Sequence, residues 1–347
     1  RLPALARSLR LIADEGRDAF YAGRIAGQIA ATAARLGGRL SMLDLAGHRG
    51  EWVAPVSTRY RDATVATMPP NSQGITTLMA LNMLAGVDPG AVWGAVDHLH
   101  PLIEASRLAH GIRDRTVTDP RFSDADTAAL LSPGAASEAW SRYDPAAALP
   151  GTVARAGDTV AICVVDRDGD AVSMIQSIYQ GFGSGVVAGD TGIVLQNRGA
   201  SFSLDPDHPN VIAPEKRPFH TLMPSMLFRD GALLGPLATQ GGDAQAQIQL
   251  QIITNLLDFD MLATPTAAID APRWVATAGG EDRRSLVLLE GRFPRETMRA
   301  LADRGHRTEA IPAWSPDAGH AQLILRHPSG TMLGAADARA DGVALGY

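Results

Sequence analysis

Gly157-Asp158-Thr159-Val160-Ala161-Ile162-Cys163-Val164-Val165-Asp166, continued by Arg167-Asp168-Gly169-Asp170-Ala171-Val172-Ser173-Met174-Ile175-Gln176-Ser177, is the stretch whose reading decides the fold. A β-branched apolar run, a polar Asp-Gly turn and a second such run predict a buried strand, a hairpin turn and a partner strand. If Val165 and Ala171 face each other across the turn, Thr159 lies opposite Ser177. Directly opposed residues of an antiparallel pair hold their Cβ atoms about 4.5–5.5 Å apart, so two hydroxyls meet at the head of a strand. Such a threonine becomes a useful nucleophile if the bond before it is cut, because the freed α-amine, with a pKa of about 7.7–8.0, can act as its base. Uncut, Thr159 and Ser177 are ordinary strand residues.

The flanks supply helices and further strands. Residues 1–38 carry apolar positions at helical spacing, among them Phe20, Ile25, Ile29 and Leu36, and stop at Gly37-Gly38. The chain opens on Arg1 inside a helix-like segment with no apolar signal core behind it, which reads as an internal start with an upstream piece expected. Residues 43–46 form a short helix and 51–68 are extended, ending at Pro69-Pro70. Residues 75–86 and 91–111 return to helical spacing, and 120–158 is a loop-rich connector. Beyond the hairpin come a strand at Gly192-Ile193-Val194-Leu195, a loop over 204–218, the stretch Thr221–Phe228, and a strand-like run at Ala232–Gly235. The turn Gly241-Gly242-Asp243 opens an apolar helix, with Asp243 expected as its N-cap. Strands at Leu286–Leu289 and Ala321–Leu325 and a helix near 294–304 close the chain. Strands, helices, then strands again suggest sheets covered by helices.

Composition excludes several classes. A net charge of −6 with the 31 basic residues scattered offers no nucleic-acid surface. No apolar run approaches the roughly 20 residues of a membrane span. Cys163, the sole cysteine, rules out an intrachain disulfide and reads as a small core residue. Gly183-Ser184-Gly185-Val186-Val187-Ala188 spells a dinucleotide fingerprint but runs into Gly189-Asp190-Thr191-Gly192, a turn, so no helix N-terminus follows for a pyrophosphate. Asp166–Asp170 looks calcium-like, yet its glycine is misplaced and the loop's closing Glu is absent. No metal or cofactor motif is present, and none is expected. Gly241 and Gly242 are different: two glycines before a helix let backbone N–H groups point at a developing oxyanion, although a plain helix-entry turn has the same spelling.

Taken in order, these elements resemble the γ-glutamyltransferase family of N-terminal-nucleophile hydrolases. The likeness rests on Gly16-Arg17-Asp18-Ala19-Phe20-Tyr21-Ala22-Gly23, Met68-Pro69-Pro70-Asn71-Ser72-Gln73-Gly74 and Asp119-Pro120-Arg121-Phe122 before Thr159. After it come Val164–Gly169, Phe182–Gly185, Lys216-Arg217-Pro218, Gly241-Gly242, Asp270-Ala271-Pro272-Arg273 and Gly346-Tyr347. The resemblance implies an α+β fold, a four-layer αββα sandwich, and self-cleavage between Asp158 and Thr159. Residues 1–158 would be the C-terminal part of a large subunit and 159–347 the small subunit, the two fragments forming a heterodimer that acts on a small-molecule amide. It also implies Thr159 as nucleophile, Ser177 as a second hydroxyl beside it, and Gly241 and Gly242 as the oxyanion hole. A further N-terminal segment with a substrate-binding arginine belongs to the family's proenzymes and is not in this chain.

Departures from the family pattern bear on the substrate. Where γ-glutamyltransferases hold a glutamyl ammonium and carboxylate, this chain has Tyr179 and Asn197-Arg198-Gly199-Ala200-Ser201, and His220-Thr221 replaces the usual two serines. An ammonium would meet Arg198, and like charges repel in a confined site. A carboxylate suits the planar guanidinium fork. The pattern Ser177-Ile178-Tyr179, Gln196-Asn197-Arg198-Gly199 and Arg217-Pro218-Phe219-His220-Thr221 is similar to the oxamate amidohydrolase branch, and with Tyr179, Arg198, Ser201, His220 and Thr221 as candidate substrate-binding residues it predicts a self-processing amidohydrolase for a small carboxylate-bearing amide. γ-Glutamyl hydrolysis or transfer is the alternative, and an unprocessed binding or structural protein a second.

Overall fold

The structure is a computed structural model and describes residues 1–149, 158–277, 286–327 and 329–347. The Asp158 side chain and Gly157, which precede Thr159, lie outside the described residues. Two compact units are formed, one from Arg1–Val53 with Ile178–Arg198, the other from Ala54–Ser177 with Gly199–Tyr347.

The first unit is helical: α1 (Pro3–Glu15), α2 (Arg17–Tyr21), α3 (Arg24–Arg35) and α4 (Met42–Gly47). The helical spacing over 1–38 is therefore broken into three, at Gly16 and at Ala22-Gly23. Ile25 and Ile29 of α3 bury against Ala188, with Leu11, Ile12, Phe20, Leu45, Ile193 and Leu195 around them. Ser41 caps α4 reciprocally with Asp44. The strand expected at Gly192–Leu195 is absent. Its residues make only a bridge from Val194 to Val187, and the apolar pair Ile193 and Leu195 serves the α3 core instead.

The second unit contains β1 (Val56–Tyr60), β2 (Ala63–Thr67), α5 (Ile75–Leu84), α6 (Val96–Thr116), α7 (Thr127–Leu130), α8 (Pro133–Trp140) and β3 (Asp158–Val165). Next come β4 (Ala171–Tyr179), whose last two residues belong to the first unit, then β5 (Ser225–Arg229), β6 (Ala232–Gln240), α9 (Gln245–Asp258) and α10 (Pro265–Asp270). It ends with β7 (Trp274–Thr277), β8 (Leu286–Glu290), α11 (Arg295–Asp303), β9 (Arg307–Ile311), β10 (His320–Arg326) and β11 (Met332–Ala336). Two of these correct the loop-rich connector: Ser132 accepts from the Ala135 N–H and Pro133 occupies the first helical position of α8, so that proline starts a helix rather than breaking one.

Among the described residues an antiparallel sheet runs β1-β2-β5-β6-β10-β11, with β3-β4 and β7-β8-β9 as separate sheets. Because β6 is already paired on both edges, β3 meets β6 and β10 face to face; from the partner strand β4 the Ser173 hydroxyl donates to the Leu237 carbonyl of β6 at 2.9 Å. Helices α5, α6 and α9 pack together with β1 and β6. Helix α5 is buried on nearly every side, as its mostly apolar composition requires. Helix, sheet, sheet is the resulting order, and the class is α+β as expected. The hairpin departs from a fully buried reading: Val160, Ile162, Val164, Val172 and Met174 are exposed on its outer face, while Thr159 is buried on the inner one. Helix α9 is tied to β7 by side chains that imitate a strand. Gln247 donates to the Ala276 carbonyl at 3.0 Å and accepts from its N–H at 2.8 Å; Gln251 does the same with Trp274 at 2.9 and 3.0 Å.

Candidate active site

Thr159 is the second residue of β3 and is 6% exposed. Its hydroxyl donates to the Ser177 hydroxyl at 3.2 Å, the meeting of two hydroxyls that the hairpin register predicts. The register is visible at the turn, where the Asp166 N–H donates to the Asp170 carbonyl at 3.0 Å. Neighbouring Cys163 donates to the Gln322 carbonyl at 3.3 Å, and burial pushes its thiol up to about 12, which suits a packed residue and not a nucleophile.

Gly241 and Gly242 follow β6, the strand on which β3 stacks. Gly241 has φ 145 and Gly242 φ 57, backbone that favours glycine. The Gly241 carbonyl accepts from the Ala244 N–H at 3.0 Å. In a planar trans peptide the N–H points opposite to the carbonyl, so the Gly242 N–H faces away from the helix start. Asp243 does not cap α9: it sits in a 3₁₀ turn, Gly242–Ala244, and Ala244 takes the cap position without a side-chain bond. The extra turn moves the carboxylate toward Arg113, 3.9 Å away.

His220 and Thr221 lie in the loop before β5. The His220 ring Nδ1 accepts from the Leu222 N–H at 3.2 Å, a loop-capping role. Thr221 is 1% exposed, and its carbonyl accepts from Gln73 at 3.2 Å. Ser201 ends the 3₁₀ turn Arg198–Ser201. Thr159, Ser177, Ser201, His220, Thr221, Gly241 and Gly242 all belong to the second unit, whereas Tyr179 and Arg198 belong to the first. There the Arg198 guanidinium lies 3.8 Å from the centre of the Tyr179 ring, a stack that orients the planar fork. Tyr179 has φ 81, and the Asn197 N–H donates to the Ile178 carbonyl at 3.2 Å, drawing the Arg198 segment back to the end of β4.

Sequence reasoning passed over two buried residues. Gln73 stood only as a letter in a motif, and Arg113 not at all; both touch the Gly241–Asp243 turn. A glutamine directly before an apolar helix was the available signal.

One group among the described residues has metal-ligand chemistry, His100, Glu104 and His306, with ligand atoms within 4.8 Å of one another. Its hydrogen bonds describe a proton chain instead. His100 Nε2 donates to the Asp144 carbonyl at 2.8 Å, so its Nδ1 accepts from His306 Nε2 at 2.7 Å, too close for two ligands of one ion. Both Glu104 oxygens are taken, by Arg107 at 2.6 Å and the Leu149 N–H at 2.8 Å. His306 Nδ1 has no partner among the described residues. Burial, helped by the Arg107 charge, pushes His306 down to about 3, and burial lowers His98 and His110 to about 4. The folded protein therefore binds fewer protons than the unfolded chain below the ordinary value of 6.5, and stability falls as pH drops through that value. Urea unfolding at pH 7 and pH 5 should show a loss with a slope of up to about 1.4 kcal/mol per pH unit per histidine. His306→Asn should lower that slope by one histidine's share.

The γ-glutamyltranspeptidase family description matches residues 1–347, and the chain belongs to that family. It is 43% identical over 344 residues to the glutathione hydrolase-like YwrD proenzyme of Bacillus subtilis, covering 99% of this chain and 65% of the relative. It is 39% identical over 354 residues to the oxamate amidohydrolase proenzyme of Klebsiella pneumoniae, covering 100% and 65%. Among solved structures, a cephalosporin acylase from Bacillus halodurans superposes with a TM-score of 0.89 at 37% identity, over 99% of this chain and 62% of that one. The chain thus spans a little under two thirds of these relatives. The fold is that of the N-terminal-nucleophile acylases.

Proposed function

We propose that this chain is the catalytic part of a self-processing amidohydrolase, cut between Asp158 and Thr159, that hydrolyses a small amide bearing a carboxylate near the scissile carbonyl. The observation that carries the reading is the buried Thr159 hydroxyl, 3.2 Å from that of Ser177, at the head of a strand stacked on the one leading into Gly241-Gly242. After cleavage the new α-amine takes the Thr159 hydroxyl proton as the oxygen attacks the amide carbon. Gly241 and Gly242 N–H groups receive the negative charge, and the amine returns the proton to the departing nitrogen. Water, activated by the same amine, then opens the threonyl ester and frees the acid. Residues 1–158 and 159–347 remain together as the two fragments of one precursor.

Arg198 is assigned the substrate carboxylate, with Tyr179 holding its plane. This favours an oxamate-like amide over a γ-glutamyl compound, and the kinship to an oxamate amidohydrolase proenzyme supports it. The deciding experiment compares ammonia release from oxamate with anilide release from a γ-glutamyl anilide, using the full-length protein. Preference for the anilide would overturn the assignment. Arg198→Gln should raise KM for oxamate by about tenfold or more with kcat nearly unchanged, the signature of uniform binding lost. An unaltered KM would remove Arg198 from the site.

A further inference from the structure

We propose that Gln73, oriented by Arg113, is a positioning residue that locks the oxyanion turn to the loop carrying His220 and Thr221. The inference rests on reading Gly241 and Gly242 as oxyanion donors, and adds the element that holds their turn in place.

Gln73 is fully buried in front of α5. Its Nε2 donates twice, to the Gly242 carbonyl at 3.0 Å and the Thr221 carbonyl at 3.2 Å. Its Oε1 accepts from Arg113 Nη1 at 2.9 Å. Arg113 is only a donor, so the amide has one permitted orientation. Flipped, it would set NH₂ against the guanidinium and oxygen against two carbonyls.

Arg113 is 5% exposed and reaches both sides of the same junction. It lies 3.9 Å from the Asp243 carboxylate and 5.1 Å from the Phe219 ring centre, and its position is fixed by Asp114 at 2.6 Å. The residues before Gln73 are latched to the loop as well. Asn71 Nδ2 donates to the Pro218 carbonyl at 2.6 Å and the Ser72 hydroxyl to that of Leu222 at 2.6 Å. The His220 N–H donates to the Asn71 carbonyl at 3.1 Å, and the Gln73 N–H to the His220 carbonyl at 3.0 Å. Asn71-Ser72-Gln73 is thereby a strap along 218–222 whose final side chain crosses to Gly242.

The consequence is geometric. Both peptide planes flanking Gly242 are pinned through their carbonyls, Gly241 to the Ala244 N–H and Gly242 to Gln73. The Gly242 N–H lies opposite the Gly241 carbonyl that Ala244 holds, while Gln73, by holding the next peptide through the Gly242 carbonyl, keeps the turn from rotating about Gly242 and carrying that N–H away. A donor misplaced by about 1 Å can cost roughly 100-fold in rate.

The test uses the full-length protein, with Gln73→Met, close in shape but without donors, and Gln73→Glu, which keeps the Arg113 partner yet offers no N–H to the two carbonyls. Folding is checked by circular dichroism melting, and self-cleavage and turnover of oxamate or a γ-glutamyl anilide are measured. In folded variants kcat should fall by about tenfold or more while KM stays within about threefold, and cleavage should slow in parallel. If Gln73→Met does not fold, Gln73→Glu decides. An unchanged kcat in either folded variant, or a change confined to KM, overturns the role. A wild-type protein with no Thr159-dependent turnover overturns the parent reading itself, an outcome seen before any variant is compared.

Discussion

Replacing Thr159 with alanine should leave the precursor as one uncleaved chain, and turnover should fall by about 10⁴-fold or more. The side chain is buried and engaged with Ser177 at 3.2 Å, so removing it deletes the attacking oxygen with little effect on the packing of β3. Denaturing electrophoresis and mass spectrometry read the first effect, since wild type should yield a fragment beginning at Thr159. Thr159→Ser keeps a hydroxyl on the same carbon and should still cleave. Ser177→Ala should slow cleavage by about tenfold, the cost of losing a hydrogen bond of roughly 1 kcal/mol or more. An intact wild-type band combined with full amidase activity would sink the mechanism, because the base invoked exists only after the cut.

The second large effect is expected at Gly241. Its backbone, φ 145 and ψ 19, is closed to residues with a Cβ, and an added Cβ would lie 2.8 Å from Ile248 Cδ1. Gly241→Ala should therefore rotate the turn and lower kcat by about 10²–10³-fold, the usual cost of an oxyanion donor, with roughly 1–3 kcal/mol of stability lost to strain. Ile248→Val removes the Cδ1 atom. Added to Gly241→Ala, it should restore part of the stability but not the rate, because backbone strain persists when space is made. Full recovery of kcat in the double variant would assign the defect to crowding and remove Gly241 from the oxyanion role.

These effects converge on groups of unequal legibility. The hairpin was readable because strand period and turn chemistry are local, and Thr159 opposite Ser177 follows from counting residues across the turn. Glycines before a helix are visible for the same reason, although the 3₁₀ turn that displaced Asp243 from the cap was not. The connector misled because Pro133 has the same letter whether it ends a helix or begins one, and only the Ser132 cap decides. Gly192–Leu195 misled because its apolar residues pay their way in the α3 core, not in a ladder.

The amino-acid sequence by itself determined most of the elements, the register of the hairpin, the family and the identity of the paired hydroxyls, all properties carried by neighbours in the chain or by a pattern along it. Tertiary structure alone decided that β3 stacks on β6, the strand leading into Gly241-Gly242, that His306 donates to His100, and that Gln73 joins Gly242 to Thr221. Each of these contacts links residues more than 60 positions apart, and burial makes it binding: a polar group taken out of water has to be met by whatever partner the packing brings.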